Sequence, residues 1–170
     1  YGFQAYRNGK GEIEGIFFFI NDITAQILSR KKLEKSEKQY RQIVETAQEG
    51  IIQLDENSRI VFVNKKICEI LEYSEKELIG KKHFYFMDAY ERKNALIAFE
   101  RRKRGISEKF PITFLSKSGK EVLTEASVNP IFDEHSNFKG SLGMIYDVTQ
   151  KKKADDEIKF KANLLNTIGQ

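Results

Sequence analysis

Few residues in this 170-residue chain belong to types that do covalent or metal chemistry. Cys68 is the single cysteine, and His83 and His135 are the two histidines. A structural zinc ion needs four ligands converging on one point, usually supplied as closely spaced Cys or His pairs. Two isolated histidines and one distant thiol do not make that set, so no metal site is expected. Cys68 falls among apolar neighbours in a stretch of helical period, which predicts a small buried or half-buried side chain, not a reactive thiolate. One cysteine also forbids an intrachain disulfide and points to a reducing, cytoplasmic compartment. The run Arg101-Arg102-Lys103-Arg104 could contact phosphate. It stands just before Gly105, where a helix should stop, and cations there complement the negative end of the helix dipole. Solvated helix-end charges are therefore the expectation, with no nucleic acid bound. There is no Gly-rich nucleotide loop, no Ser/His/Asp arrangement and no phosphoacceptor histidine in a helical dimerisation motif. No catalytic residue is assigned, and the chain is not expected to be an enzyme.

The polar residues with a repeated spacing are more informative. Gly15–Thr24 reads GIFFFINDIT, and 125 positions later Gly140–Thr149 reads GSLGMIYDVT. Both copies of Gly-x-x-x-x-x-x-Asp-x-Thr close an apolar stretch, and a Lys/Glu-rich segment follows each. A Thr hydroxyl at such a junction caps free amides of the outgoing helix, worth about 1 kcal/mol, and an Asp carboxylate favours the same positive helix end. Asp22, Thr24, Asp147 and Thr149 read as plain structural caps and, compatibly with that, as signal-relay residues. By fixing the angle between strand and helix they would convert a shift of the sheet into a shift of the helix. Residues 1–24 align in one register with 126–149, each copy reading as a hairpin with a polar turn. Self-similarity at a fixed period marks an array.

The elements that must position these residues follow from period and punctuation. Residues 25–47 and 150–165 have helical period; Leu33, Tyr40 and Ala47 recur every seven, with Ile43 between the last two, so one face could meet a partner helix. Between the two helices, 50–55 and 59–63 read as short strands. Asn64 can cap a helix to about Leu71, Ser74 and Glu77 form a capping box, and Asp88 with Glu91 opens a helix to Arg104. Strands at about 107–115, 120–131 and 138–147 close the unit. Strands at both ends and helices in the middle indicate an α+β fold. With 40% hydrophobic and 32% charged residues and a net charge of +4, the composition is that of a globular domain. Its longest apolar run, Ile16 to Ile20, is far short of the roughly 20 residues that cross a bilayer. No membrane contact is expected from this segment, any anchor of a parent protein lying outside it.

Alternation places an apolar set on one face of the last three strands: Phe110, Ile112 and Phe114, then Val122, Thr124, Ala126 and Val128, then Leu142, Met144 and Tyr146. Phe62, Phe84, Phe86, Met87, Leu96 and Phe99 could face them across the core. Bulky aromatics close cavities, so a filled core is one reading. The other is a pocket for a small, largely apolar ligand, lined by Phe62, Phe86, Met87, Phe99, Ile112, Phe114, Thr124, Met144 and Tyr146, with Thr124 or Tyr146 orienting it.

This order of elements resembles the PAS domain family with its C-terminal PAC portion. The matching pieces are Glu49-Gly50-Ile51, Ile60-Val61-Phe62-Val63-Asn64, Leu71-Glu72-Tyr73-Ser74, Leu78-Ile79-Gly80, Lys117-Ser118-Gly119-Lys120 and Gly140 through Asp147-Val148-Thr149. Glu72 stands where the family often has Gly. The resemblance implies a five-stranded antiparallel sheet with helices on one face, flanked by linker helices. It also implies a sensory or dimerising module in series within a multi-domain prokaryotic signalling protein such as a sensor histidine kinase. On that pattern residues 1–24 are the last hairpin of an upstream domain, 25–40 a linker helix, 41–149 the complete domain, and 150–170 a helix entering a downstream one. The flavin-binding Cys of photosensing relatives has no counterpart in 81–90. Haem-binding relatives take a His from the long helix, where 89–104 has none, leaving His83 as the one haem candidate. Neither cofactor is expected. The implied partner is a second copy, through the linker helices or neighbouring domains. The hairpin at 1–24, cut from its sheet, is expected to pack on another copy, to pack on its linker helix, or to be poorly ordered.

Overall fold

The computed structural model describes residues 2–19 and 21–168. The chain divides into two compact units that meet between Gln42 and Ile43. The first holds a hairpin, β1 (Gly2–Arg7) and β2 (Ile13–Phe19), and most of helix α1 (Thr24–Thr46). The hairpin turns where Asn8 Oδ1 accepts from the amides of Lys10 and Glu12, at 2.9 and 3.1 Å. It is well formed by itself. Phe3, Ile13, Ile16 and Phe17 are exposed on it, so the linker helix does not cover them as expected. Ile20 lies outside the described residues.

The second unit begins in the last turn of α1 and continues through β3 (Gly50–Leu54), β4 (Ile60–Val63), α2 (Lys65–Leu71), α3 (Glu75–Leu78), a 3-10 turn at His83–Phe86 and α4 (Ala89–Lys103). Then come β5 (Glu108–Leu115), β6 (Glu121–Phe132), β7 (Phe138–Asp147) and α5 (Thr149–Ile168). The five strands form one antiparallel sheet in the order β4-β3-β7-β6-β5. Its inner face carries Ile52, Leu54, Val63, Ile112, Phe114, Val122, Ala126, Val128 and Ile145. These close one core with Ile67, Leu71, Leu78, Phe86, Met87, Ala95 and Phe99 from the helical side.

Local chemistry sets the helix starts. Asn64 Oδ1 accepts from Ile67 N, and Asp88 Oδ1 from Glu91 N at 2.7 Å. The Glu77 carboxylate reaches back to both the amide and the hydroxyl of Ser74. Each satisfies donors that a helix N-terminus leaves free.

The sequence repeat is also a repeat of register. Gly15 pairs with Tyr6 and Ile13 with Arg7, the pairing slipping by one residue between Tyr6 and Arg7. Displaced by 125 positions, Gly140 pairs with Ile131 and Phe138 with Phe132, with the same slip between Ile131 and Phe132. The hairpin at 2–19 and the β6–β7 hairpin are built to one pattern, bulge included. Gly140 adopts φ +131°, and a Cβ there would collide with the Leu54 carbonyl, so the close approach of β7 to the end of β3 requires glycine.

One face of the sheet has the opposite phase from that expected of its sequence. On β7 the inward residues are Ser141, Gly143 and Ile145, whereas Met144 and Tyr146 are exposed and Leu142 is only half-buried. Phe62 lies opposite Gln53, on the same outer side. The side-chain period of a strand is two, so a one-residue error moves the whole set to the other face. The bulge at Gly140 sits where that phase is fixed.

Candidate functional site

Three arrangements carry polar groups in unusual positions: one where the chain comes in from α1, one where it leaves into α5, and one inside the core. The first centres on Asn64, which is fully buried. Its Oδ1 accepts from Ile51 N at 2.9 Å and Ile67 N at 3.2 Å, and its Nδ2 donates to Val44 O at 3.0 Å and Glu49 O at 2.9 Å. Every hydrogen-bonding valence of the amide is used. One side chain thereby ties the last turn of α1, the start of β3 and the N-terminus of α2. The Glu45 carboxylate also accepts from Lys65 N at 2.9 Å. From sequence Asn64 was legible only as a helix cap.

At the exit, the two relay residues divide the work differently from expectation. Asp147 Oδ1 accepts from the amide of Thr149 at 2.9 Å, and Asp22 repeats this with Thr24 at 2.9 Å. The bond to Thr24 holds the Asp22 carboxyl below the usual carboxylate range. The Thr149 hydroxyl does not cap α5. It accepts from Leu123 N on β6 at 3.0 Å, while Val148 N donates to Leu123 O at 2.9 Å. Thr149 is buried, so its hydroxyl joins the first turn of α5 to the sheet without competition from water.

The third arrangement is a core cavity of about 40 Å³ between the inner sheet face and α4. Apolar side chains dominate its wall, among them Met87, Phe110, Ile112 and Val128, but His83, Arg102 and Ser141 line it too. All three are buried. His83 Nδ1 lies 2.6 Å from Ser58 Oγ, while its Nε2 has no partner among the described residues; Ser141 Oγ likewise has none. Burial, then the nearby Arg102 charge, pulls the His83 pKa down to about 4, so the ring is neutral at pH 7. Arg102 is held over the Phe99 ring, and its Nε donates to Ala98 O at 3.2 Å. Burial lowers its pKa to about 10 despite the partial compensation from Glu108, and it remains a cation at neutral pH.

Of the pocket residues expected from sequence, Met87, Ile112 and Phe114 line this cavity. Phe86 and Phe99 are buried beside it, Phe86 against Tyr73 and Phe99 against Phe138. Thr124 is buried, and its hydroxyl donates to Ile112 O at 2.7 Å within the sheet. Phe62, Met144 and Tyr146 stand on the opposite face and are excluded from the cavity by the phase of their strands. The polar liners were missed. The basic run is not solvated throughout: Arg101 pairs with Glu108 at 2.7 Å and Arg102 turns inward. One signal could have found the inner face of β7: Ser141 and Gly143 are small residues at alternate positions, next to bulky Leu142 and Met144. Cys68 is half-buried on α2, and burial pushes its thiol pKa up, away from reactivity. Among the described residues no three His, Cys, Asp or Glu side chains converge as a metal site, and no helix is long and apolar enough to cross a membrane.

Residues 38–148 match the family model described as the PAS fold. Sporulation kinase C of Bacillus subtilis is 24% identical over 135 residues, 75% of this chain and 32% of that protein. The methanogenesis regulatory histidine kinase FilI of Methanothrix harundinacea is 25% identical over 163 residues, 93% of this chain and 18% of that protein. The chain thus spans about a third or less of the length of these curated relatives. The crystal structure of the PAS domain of an HTR-like protein from Haloarcula marismortui superposes with TM-score 0.63 at 20% identity, covering 70% of this chain and 97% of that one.

Proposed function

We propose that this chain, which belongs to the PAS fold family, carries one complete sensory relay module of a longer signal-transduction protein. The module is residues 41–149, and its input arrives in the core cavity or from a neighbouring domain. The output path is the Asp147–Thr149 junction into α5. One observation carries this reading: Thr149 is buried and bonded to Leu123 on β6, while Asp147 holds the Thr149 amide. A change in the twist of β6 and β7 therefore acts on the first turn of α5 without slack. The parent protein in this reading is a histidine kinase, and residues 2–19 are the last hairpin of a preceding module, sharing the register and bulge of β6–β7. The chain itself performs no catalysis.

An input can drive this path only by binding two sheet–helix arrangements with different affinity. Asp147→Ala and Thr149→Val in the full-length parent should each alter histidine phosphorylation while the chain keeps its fold by circular dichroism. Unchanged phosphorylation in both variants would remove the junction from the mechanism.

A second reading, a ligand-free dimerising spacer, is favoured by α1. Its Leu33, Tyr40 and Ile43 are exposed along one side of the helix, a face that suits a second copy. Analytical ultracentrifugation separates the readings. A dimer abolished by Leu33→Glu and Tyr40→Glu, with signalling unaffected by any change in the core, would favour the spacer.

A further inference from the structure

We infer that the core cavity is a binding site for a short-chain monocarboxylate of two or three carbons, recognised by Arg102, Ser141 and His83. The inference rests on reading the module as a sensor, and names the chemistry of what it senses.

Three polar groups face one small apolar cavity, and the protein leaves their hydrogen-bonding capacity unspent. Buried polar groups in folded proteins are almost always paired, so each orphan needs an explanation. Ser141 Oγ and His83 Nε2 are both buried without partners, on residues that line the same space. Arg102 uses Nε on Ala98 O, and its terminal nitrogens make no hydrogen bond within the described residues but are not fully buried, unlike the two orphans. Glu108 is the carboxylate nearby that compensates Arg102, yet no salt bridge joins them. Its Oε1 is taken by Arg101, and its Oε2 is itself unpartnered.

The balance of donors and acceptors favours an anion. A guanidinium offers only donors, and a serine hydroxyl can donate. With the Ser58 hydroxyl donating to Nδ1, the His83 proton sits on Nε2 and supplies a third donor; with Nδ1 donating to Ser58 O, 3.4 Å away, Arg102 and Ser141 are the donors. A buried cation beside neutral donors is satisfied by a carboxylate, whose two oxygens accept several bonds and match the planar guanidinium. Phe110, Ile112, Val128 and Ile145 make the rest of the wall, which suits a short alkyl tail. Size sets the limit. A cavity of about 40 Å³ is small. That suits acetate or propionate and is far too little for a haem or a flavin.

Isothermal titration calorimetry of the whole chain with sodium propionate tests this, with sodium chloride and the neutral isostere propionamide as controls. Ligand efficiency caps a five-heavy-atom ligand at about micromolar affinity, so the titration spans micromolar to millimolar concentrations. Saturable one-to-one binding of propionate is expected, with none for chloride and at least tenfold weaker binding of propionamide. Arg102→Met should abolish it. Ser141→Ala deletes an unpaired hydroxyl without disturbing the fold, and should weaken propionate about tenfold or more. Ser141→Ala decides the matter should Arg102→Met fail to fold. No saturation, equal binding of propionamide, or propionate affinity unchanged in Ser141→Ala would overturn the site and leave the cavity to water. The sensor reading fails separately. Propionate that binds as expected but leaves amide exchange at Val148 and Thr149 unchanged contradicts the relay, not the site.

Discussion

Replacing Asn64 by Asp changes one atom's chemistry and almost no volume, at a position that is fully buried. Two bonds survive on paper, since Oδ1 can still accept from Ile51 N and Ile67 N. The other two cannot: Val44 O and Glu49 O, at 3.0 and 2.9 Å, lose their donor and face an oxygen. A protonated Asp could restore one of them at most. Each buried carbonyl left without a donor costs about 1–3 kcal/mol, and an ionised carboxylate between two carbonyls adds to that. The expected loss is about 3–5 kcal/mol at pH 7, a large share of the 5–15 kcal/mol typical of a domain. Urea unfolding of the chain, followed by circular dichroism, measures it as a lower midpoint at unchanged slope. The pH dependence adds a second signature. Burial raises the pKa of the introduced Asp in the folded state above its unfolded value. The deficit relative to wild type should therefore shrink as pH falls towards 5, as the folded state takes up the proton. A loss under about 1 kcal/mol, or a deficit independent of pH, would refute the four-bond account of how α1 is joined to the domain.

Three further outcomes follow from the same structure. His83 is pulled down to about 4 when folded, so the unfolded chain binds its proton first and stability should fall as pH drops from about 6.5 to 4. The full effect is on the order of 3 kcal/mol; His83→Gln should flatten that limb in urea melts at stepped pH, and a wild-type curve flat from 6.5 to 5 would contradict the buried neutral ring. Gly140→Ala meets both a positive φ and the Leu54 carbonyl, and should destabilise by about 3 kcal/mol or more in thermal melts; a near-neutral result would contradict that close approach. Thr149→Val removes the acceptor of Leu123 N and should cost about 1–2 kcal/mol, with faster hydrogen exchange at Leu123 and in the first turn of α5; unchanged exchange there would show that the hydroxyl does not hold the helix.

Where local chemistry decides conformation, the sequence was readable. Asn64, Ser74 with Glu77, and Asp88 with Glu91 announced their helix starts, and each is found making its capping bonds. The three long strands were bounded to within a residue or so, because glycine turns and apolar alternation frame them. Alternation alone does not say which of its two faces is inside. On β7 the bulky Leu142, Met144 and Tyr146 suggested a core, yet the narrow space beside β3 and α4 takes Ser141 and Gly143 instead. Residues brought in from the far side of the core were harder still. Arg102 occupies the helix-end position that usually means solvent, and only its packing over Phe99 beside the 3-10 turn makes it an inward cation. His83 likewise depends on Ser58, 25 residues earlier and in a left-handed turn conformation, for its partner. At the exit, spacing identified Asp147 and Thr149, but only the pairing of β6 with α5 shows the hydroxyl turned to the sheet.

The central claim is that the core cavity and the α5 junction are mechanically joined through β6. Ala126→Val puts two methyl groups into the cavity from β6 itself, three residues from Leu123, and needs no knowledge of the natural ligand. Amide hydrogen exchange of the chain by NMR would compare Leu123, Val148 and Thr149 in this variant and in wild type, with β1–β2 as an internal reference. The account predicts at least a tenfold change in protection at those three amides, with the reference hairpin unchanged. A variant that folds, fills the cavity and leaves all three amides as they were would contradict it.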